Sequence, residues 1–136
     1  MTYKVLMADD DTDSFGFPRH YFKKLLDPVQ GVFLEAYDGM QARFIINAEQ
    51  PNVIIIDNQM PEFTGVEVID DLQRRIARGK YPGYDPLMII QSSDSEEDLK
   101  RKLHGDSSKI IFFQKPYNLD ELVALVEKHM KKQLNI

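Results

Sequence analysis

Three short charged segments carry the side chains that could do chemistry: Asp9-Asp10-Asp11, Asp57 and Lys115-Pro116. Each stands at the end of an apolar run. Taken singly, an Asp after a strand is ordinarily a turn or helix-cap residue, and an acidic triplet is a solvated loop. Gathered at one place, several carboxylates repel one another unless a cation sits among them. With oxygen donors, no cysteine and no histidine pairing, the fitting cation is a hard ion such as Mg²⁺, which takes a few carboxylates and keeps waters for a phosphate ligand. Such an ion beside an ionised Asp and a Lys forms the electrostatic cradle of phosphoryl transfer, where the moving group spreads negative charge over its equatorial oxygens. Asp57 is then the candidate nucleophile, because an ordinary aspartate, with a pKa of about 3.9, is ionised at neutral pH and needs no general base.

These segments meet only if the fold brings them together. Five short apolar runs, Val5 to Ala8, Val32 to Ala36, Val53 to Ile56, Leu87 to Ile90 and Ile110 to Phe113, have the length and β-branched content of strands. Val53-Ile54-Ile55-Ile56 lacks polar alternation, as expected of a central strand covered on both faces. Between the runs lie apolar residues at helical spacing: Tyr21, Phe22, Leu25 and Leu26; Ala42, Ile45 and Ile46; Val66, Val68, Ile69, Leu72 and Ile76; Leu99 and Leu103. A last helix uses Leu122, Val123, Leu125, Val126 and Met130, with Asn118 as N-cap and Glu121 as its capping-box partner. Strands alternating with helices imply an α/β sandwich around a parallel sheet. Right-handed crossovers put every loop that follows a strand at one sheet edge, where ligands of open α/β folds bind. The breaker-rich stretch Gly79 to Pro86 is the expected long loop.

At this point the sequence resembles a known family. Lys4-Val5-Leu6-Met7-Ala8-Asp9-Asp10, then Val53-Ile54-Ile55-Ile56-Asp57-Asn58-Gln59-Met60-Pro61 with Gly65, then Lys115-Pro116-Tyr117, are similar in order and spacing to the signature segments of response regulator receiver domains of two-component systems. The resemblance spans essentially the whole chain and implies a flavodoxin-like doubly wound sheet of order 2-1-3-4-5 flanked by five helices. It implies phosphorylation of Asp57, Mg²⁺ held by Asp9, Asp10, Asp57 and the Gln59 backbone carbonyl, and Lys115 paired with Asp57 and later with a phosphoryl oxygen. A sensor histidine kinase or histidine phosphotransfer protein would be the donor, and a downstream protein, not identified by sequence, the target. The role it implies is signalling, not enzymatic turnover.

The chain departs from that pattern in four places. Where receivers carry Thr or Ser after the fourth strand, alignment puts Gln91; Ser92, one residue on, is taken as the hydroxyl donor, although a one-residue slip reverses the side-chain face. The aromatic switch position falls on Phe112, which lacks a hydroxyl. The first βα loop is long, with Pro18 expected to open a helix and Phe15 and Phe17 to cover the site or meet a partner. Thr64 replaces an Asp before Gly65.

Other readings of the same residues are weaker. Asp9, Asp11 and Asp13 mimic an EF-hand loop, but Ser14 stands where Gly is needed and His20 where a bidentate Glu belongs. A haloacid-dehalogenase-type phosphohydrolase would use Asp9 as nucleophile and Asp11 as acid/base, but Asp13 occupies the position of a Thr or Val. A degenerate receiver acting by contact alone would keep the fold without the chemistry. The net charge of −5 argues against a nucleic-acid surface, and the basic residues Lys128, His129, Lys131 and Lys132 suit a solvated helix end. Without a leader-like segment or a long apolar stretch, a cytoplasmic protein of one domain, residues 1–136, that meets no membrane is expected.

Overall fold

The computed structural model describes residues 1–136. Five strands, β1 (Lys4–Ala8), β2 (Val32–Ala36), β3 (Val53–Asp57), β4 (Leu87–Ser92) and β5 (Ile110–Gln114), alternate with α1 (Gly16–Leu26), α2 (Gly39–Glu49), α3 (Gly65–Ala77), α4 (Glu96–Lys102) and α5 (Leu119–Leu134). All pairings are parallel and the order is β2-β1-β3-β4-β5. This is the flavodoxin-like sheet expected from the alternation, with β3 at its centre and buried along its whole length. No helix is long and apolar enough to cross a membrane.

Side-chain alternation divides the core into two layers. Leu6, Ala8, Ile54, Ile56, Met88 and Ile90 pack with residues of α2, α3 and α4. Val5, Met7, Val53, Ile55 and Ile89 pack on the opposite face with Phe22, Leu26, Leu122 and Val126 of α1 and α5. Strands β3, β4 and β5 run one or two residues further than their apolar runs alone indicate, so Asp57, Gln91 and Ser92 belong to strands rather than to loops.

The helix starts hold three differences from expectation. Asn118 caps α5 by accepting from the N–H groups of Asp120 and Glu121, and Glu121 contributes only its backbone. The reciprocal capping box lies at α3, where Thr64 Oγ1 accepts from Glu67 N–H at 3.2 Å and Glu67 Oε1 accepts from Thr64 N–H at 3.0 Å. Thr64 is thus a helix cap. In the first loop a 3₁₀ turn, Thr12–Phe15, precedes α1, which opens at Gly16, and Pro18 sits inside its first turn. Pro is tolerated there because those N–H groups have no intrahelical acceptor.

Gly65 matters by closeness. A Cβ there would lie 2.8 Å from the Asp57 carbonyl oxygen, so only glycine lets α3 begin against the end of β3.

Candidate functional site

The loops after β1, β3 and β5 meet at the C-terminal edge of the sheet. Asp9 follows β1, its N–H donating to Ala36 O at 3.0 Å. Its Oδ1 accepts from Asp11 N–H at 2.9 Å, and its Oδ2 lies 3.8 Å from Lys115 Nζ. Asp57 ends β3 and is buried, with Oδ1 3.3 Å from the same ammonium. That pairing is chiefly coulombic, the Lys115 charge acting on the Asp57 carboxyl more strongly than hydrogen bonding does. Lys115 is aimed by the end of β4, its N–H donating to Ser92 O at 2.7 Å, and the Lys115–Pro116 peptide is cis.

Asp9, Asp10 and Asp57 each place a carboxylate oxygen within 4.8 Å of the others. Two of them are buried and Asp10 is exposed. Three carboxylates facing one ammonium leave an excess of negative charge in a partly dry pocket, a donor set of hard oxygens that fits Mg²⁺. Burial pushes the Asp57 carboxyl above the ordinary aspartate range; the Lys115 charge opposes this, the Asp9 charge adds to it, and hydrogen bonding from Lys115 and from the Gln59 N–H opposes it. The Tyr117 phenol beside the site is likewise raised, mainly by burial and further by the charges of Asp9 and Asp57.

Gln59 is exposed on the loop after β3, and its carbonyl takes no backbone hydrogen bond. Its side chain crosses to the loop after β4, Nε2 donating to Asp94 Oδ2 at 3.3 Å and Oε1 accepting from Ser93 Oγ at 3.4 Å. Asn58 was not singled out by sequence reasoning. It is buried, donates its N–H to Gln91 O at 2.9 Å, and accepts from Val66 N–H at 3.0 Å through Oδ1, fixing α3 to the sheet. A polar residue directly after a buried strand and eight before a helical apolar residue was the available signal.

Ser92 is not brought to the site. Asp57 is the register partner of Gln91, and both continue the α1/α5 face of their strands, whereas Ser92 follows Met88 and Ile90 onto the other face. Its buried Oγ accepts from Asp94 N–H at 3.0 Å, closing a local turn. The expected hydroxyl donor is therefore corrected: the one-residue offset turns Ser92 away and leaves Gln91 facing Asp57. Phe112, opposite Ile90 in the register, is half-buried on that other face with Lys100 Nζ 5.8 Å from its ring centroid. The two loop phenylalanines separate: Phe15 is fully buried and edge-on to Tyr37, while Phe17 is 76% exposed.

A family model described as the response regulator receiver domain matches residues 5–127. The chain belongs to the receiver family. Solved structures agree. The N-terminal domain of an uncharacterized protein from Wolinella succinogenes is 26% identical, with a TM-score of 0.75 over 98% of both chains. A Francisella response regulator receiver domain is 28% identical, with a TM-score of 0.70 over 97% of this chain and 99% of the other. A two-component transcriptional regulator from Clostridium phytofermentans shares the fold at 23% identity and a TM-score of 0.74, covering 98% and 97% of the two chains. As a receiver, the chain is a signalling protein carrying the acidic cluster typical of the phosphoacceptor site. Receivers engage histidine kinases and effectors in general, and membership removes the haloacid-dehalogenase alternative.

Proposed function

We propose that residues 1–136 act as one cytoplasmic receiver in which Asp57 accepts a phosphoryl group from a phosphohistidine on a sensor histidine kinase or histidine phosphotransfer protein. The observation that carries this is the meeting of Asp9, Asp10 and Asp57 within 4.8 Å beside Lys115. An Asp57 carboxylate oxygen forms the new P–O bond as the donor's P–N bond breaks; the electron pair of that bond stays on the imidazole nitrogen, which then takes a proton. Burial strips water from the attacking oxygen, and Lys115 steadies its charge and later a phosphoryl oxygen.

Asp9, Asp10, Asp57 and the Gln59 carbonyl would hold Mg²⁺. When bound, the ion supplies positive charge that screens the carboxylates from the incoming phosphoryl oxygens. Phosphorylation adds about −1.5 to −2 charge at the sheet edge, which biases the receiver between two contact surfaces for a downstream protein.

Intact-mass measurement after treatment with a small phosphodonor and Mg²⁺ tests the reading. Wild type should carry one phosphoryl adduct and Asp57→Asn none; an adduct that survives in Asp57→Asn, or no adduct in wild type, rejects it. The turned-away Ser92 hydroxyl and the hydroxyl-free Phe112 favour a second reading. In it, the receiver binds its partner without phosphorylation, and wild type gives no adduct.

A further inference from the structure

Helix α2 presents an almost uncharged face to solvent. Its eleven residues carry one cation, Arg43, and one carboxylate, Glu49, whereas the outer face of a surface helix is ordinarily charged. Met40 and Phe44, one helical turn apart, are 52% and 72% exposed. Beside them a groove of about 330 Å³ runs between α2 and α3. Tyr81, in the loop after α3, ties the two sides together, its Oη donating to Asn47 Oδ1. It does so from a left-handed backbone (φ 59°) that such a residue keeps only where its surroundings hold it.

The charge around this groove is opposite in sign to that of the chain. Arg74, Arg75, Arg78 and Lys80 fall within seven residues with no carboxylate among them, in a protein of net charge −5. In the groove itself Arg43, Arg75 and Lys80 share a single carboxylate, Asp71. Asp71 Oδ2 lies 3.3 Å from Arg43 Nε and 3.0 Å from Arg75 Nε, and its Oδ1 lies 3.2 Å from Arg74 Nη2. One carboxylate cannot neutralise three guanidiniums, but it fixes where they stand. Arg43 is held further by the Phe63 ring, whose centroid is 4.7 Å from its Cζ. Each guanidinium is a rigid fork with more N–H donors than Asp71 can take. Exposed ion pairs add little to a fold, so stability gives no reason to gather these cations.

Apolar side chains flanked by preset cations fit a partner with the complementary pattern. A third helix lying between two others is the ordinary way to fill such a groove. An isologous contact with a second copy would set these cations against themselves. A nucleic acid or an anionic bilayer extends beyond the groove and meets the negative remainder of the surface, whereas a short segment, within a Debye length of about 8–10 Å, feels the groove alone. We propose that the α2/α3 groove docks an acidic amphipathic helix of another protein, its apolar side chains covering Met40 and Phe44 and its flanking carboxylates meeting Arg43, Arg75 and Lys80. The site uses none of the residues around Asp57, so it stands whether or not Asp57 is phosphorylated.

The test uses the full chain and a fluorescein-labelled helical peptide with leucines along one face and glutamates on either side, read by fluorescence anisotropy. Wild type should bind this peptide, less tightly as salt is raised, and should not bind its counterpart with lysines in place of the glutamates. Phe44→Ser and Lys80→Glu, both at exposed positions, should each weaken binding roughly ten-fold, as expected for an anchor and for a reversed charge. Phe17→Ser, at an exposed aromatic on α1, should bind as wild type does. Urea unfolding of each variant checks that the fold is kept; should Phe44→Ser lose stability, Lys80→Glu decides. No binding of the acidic peptide overturns the proposal, as does equal affinity in wild type, Phe44→Ser and Lys80→Glu. Equal binding of both peptides reduces the groove to apolar adhesion and overturns it too. So does tighter binding of phosphatidylserine–phosphatidylcholine vesicles or of duplex DNA, or a dimer in sedimentation that Phe44→Ser abolishes, since each gives the groove a different occupant.

Discussion

The two edges of the sheet differ in how completely their buried polar groups are partnered. At the edge where the strands begin, they are partnered: Asn52 Oδ1 accepts from Lys4 N–H at 2.8 Å, Tyr84 Oη donates to Pro51 O at 2.5 Å, and Tyr3 Oη meets His129 Nδ1 at 2.6 Å. At the edge where they end, Asp57 Oδ1 and Gln91 Oε1 are buried without a hydrogen bond, and carboxylates crowd one ammonium. Unsatisfied buried groups are costly to a fold. Two of the three buried side-chain oxygens without a hydrogen bond lie at the edge where the strands end, the third being Gln73 Oε1 on α3, which sets the edge that holds the sheet together apart from the edge where the carboxylates gather.

That contrast can be broken from either side. The largest effect is expected from Lys115→Met, which removes the only cation near Asp9 and Asp57. Phosphoryl labelling should fall roughly a hundred-fold, the scale of losing one preorganised charge-stabilising donor, while calorimetry should show Mg²⁺ bound more tightly because a competing charge is gone. At the opposite edge Asn52→Ala strands Lys4 N–H and should cost about 1–3 kcal/mol in urea unfolding, with labelling unchanged. Tyr84→Phe should cost about 1 kcal/mol by the same measurement, again without touching labelling. If either substitution slows labelling, the two edges are not separable.

The smallest effect concerns pH in the metal-free protein. Burial holds the Asp57 carboxyl above its ordinary range, so the native state binds that proton more tightly than the unfolded chain does. The ionised group therefore lowers stability at neutral pH, and this deficit disappears as pH falls through the raised value. The stability advantage of Asp57→Asn over wild type should shrink on acidification. An advantage that is constant with pH would contradict the burial effect.

The elements that chemistry depends on were legible because their signals are local. The unbroken Val53–Ile56 run predicts a covered central strand, and the acidic triplet, Asp57 and Lys115 each stand at a strand exit. What the sequence hid turns on single-residue offsets. The face of Ser92 depends on register with β3, a nonlocal quantity, and the apolar run stops at Ile90 while the strand continues to Ser92. The two phenylalanines of the first loop look equivalent as letters, yet the 3₁₀ turn sends Phe15 inward and Phe17 out. The box at Thr64 is readable from Glu67 three residues on.

Phe15 has a further consequence. Seated wholly inside the α1/α5 layer, it roots the acidic loop in hydrocarbon a few residues beyond Asp10 and Asp11, and Asp11 itself closes the intervening turn through Asp13 N–H. The loop is thereby furnished in advance, like a socket set before the plug arrives. An arriving ion would have little chain to immobilise, and its affinity would reflect charge and dehydration almost alone.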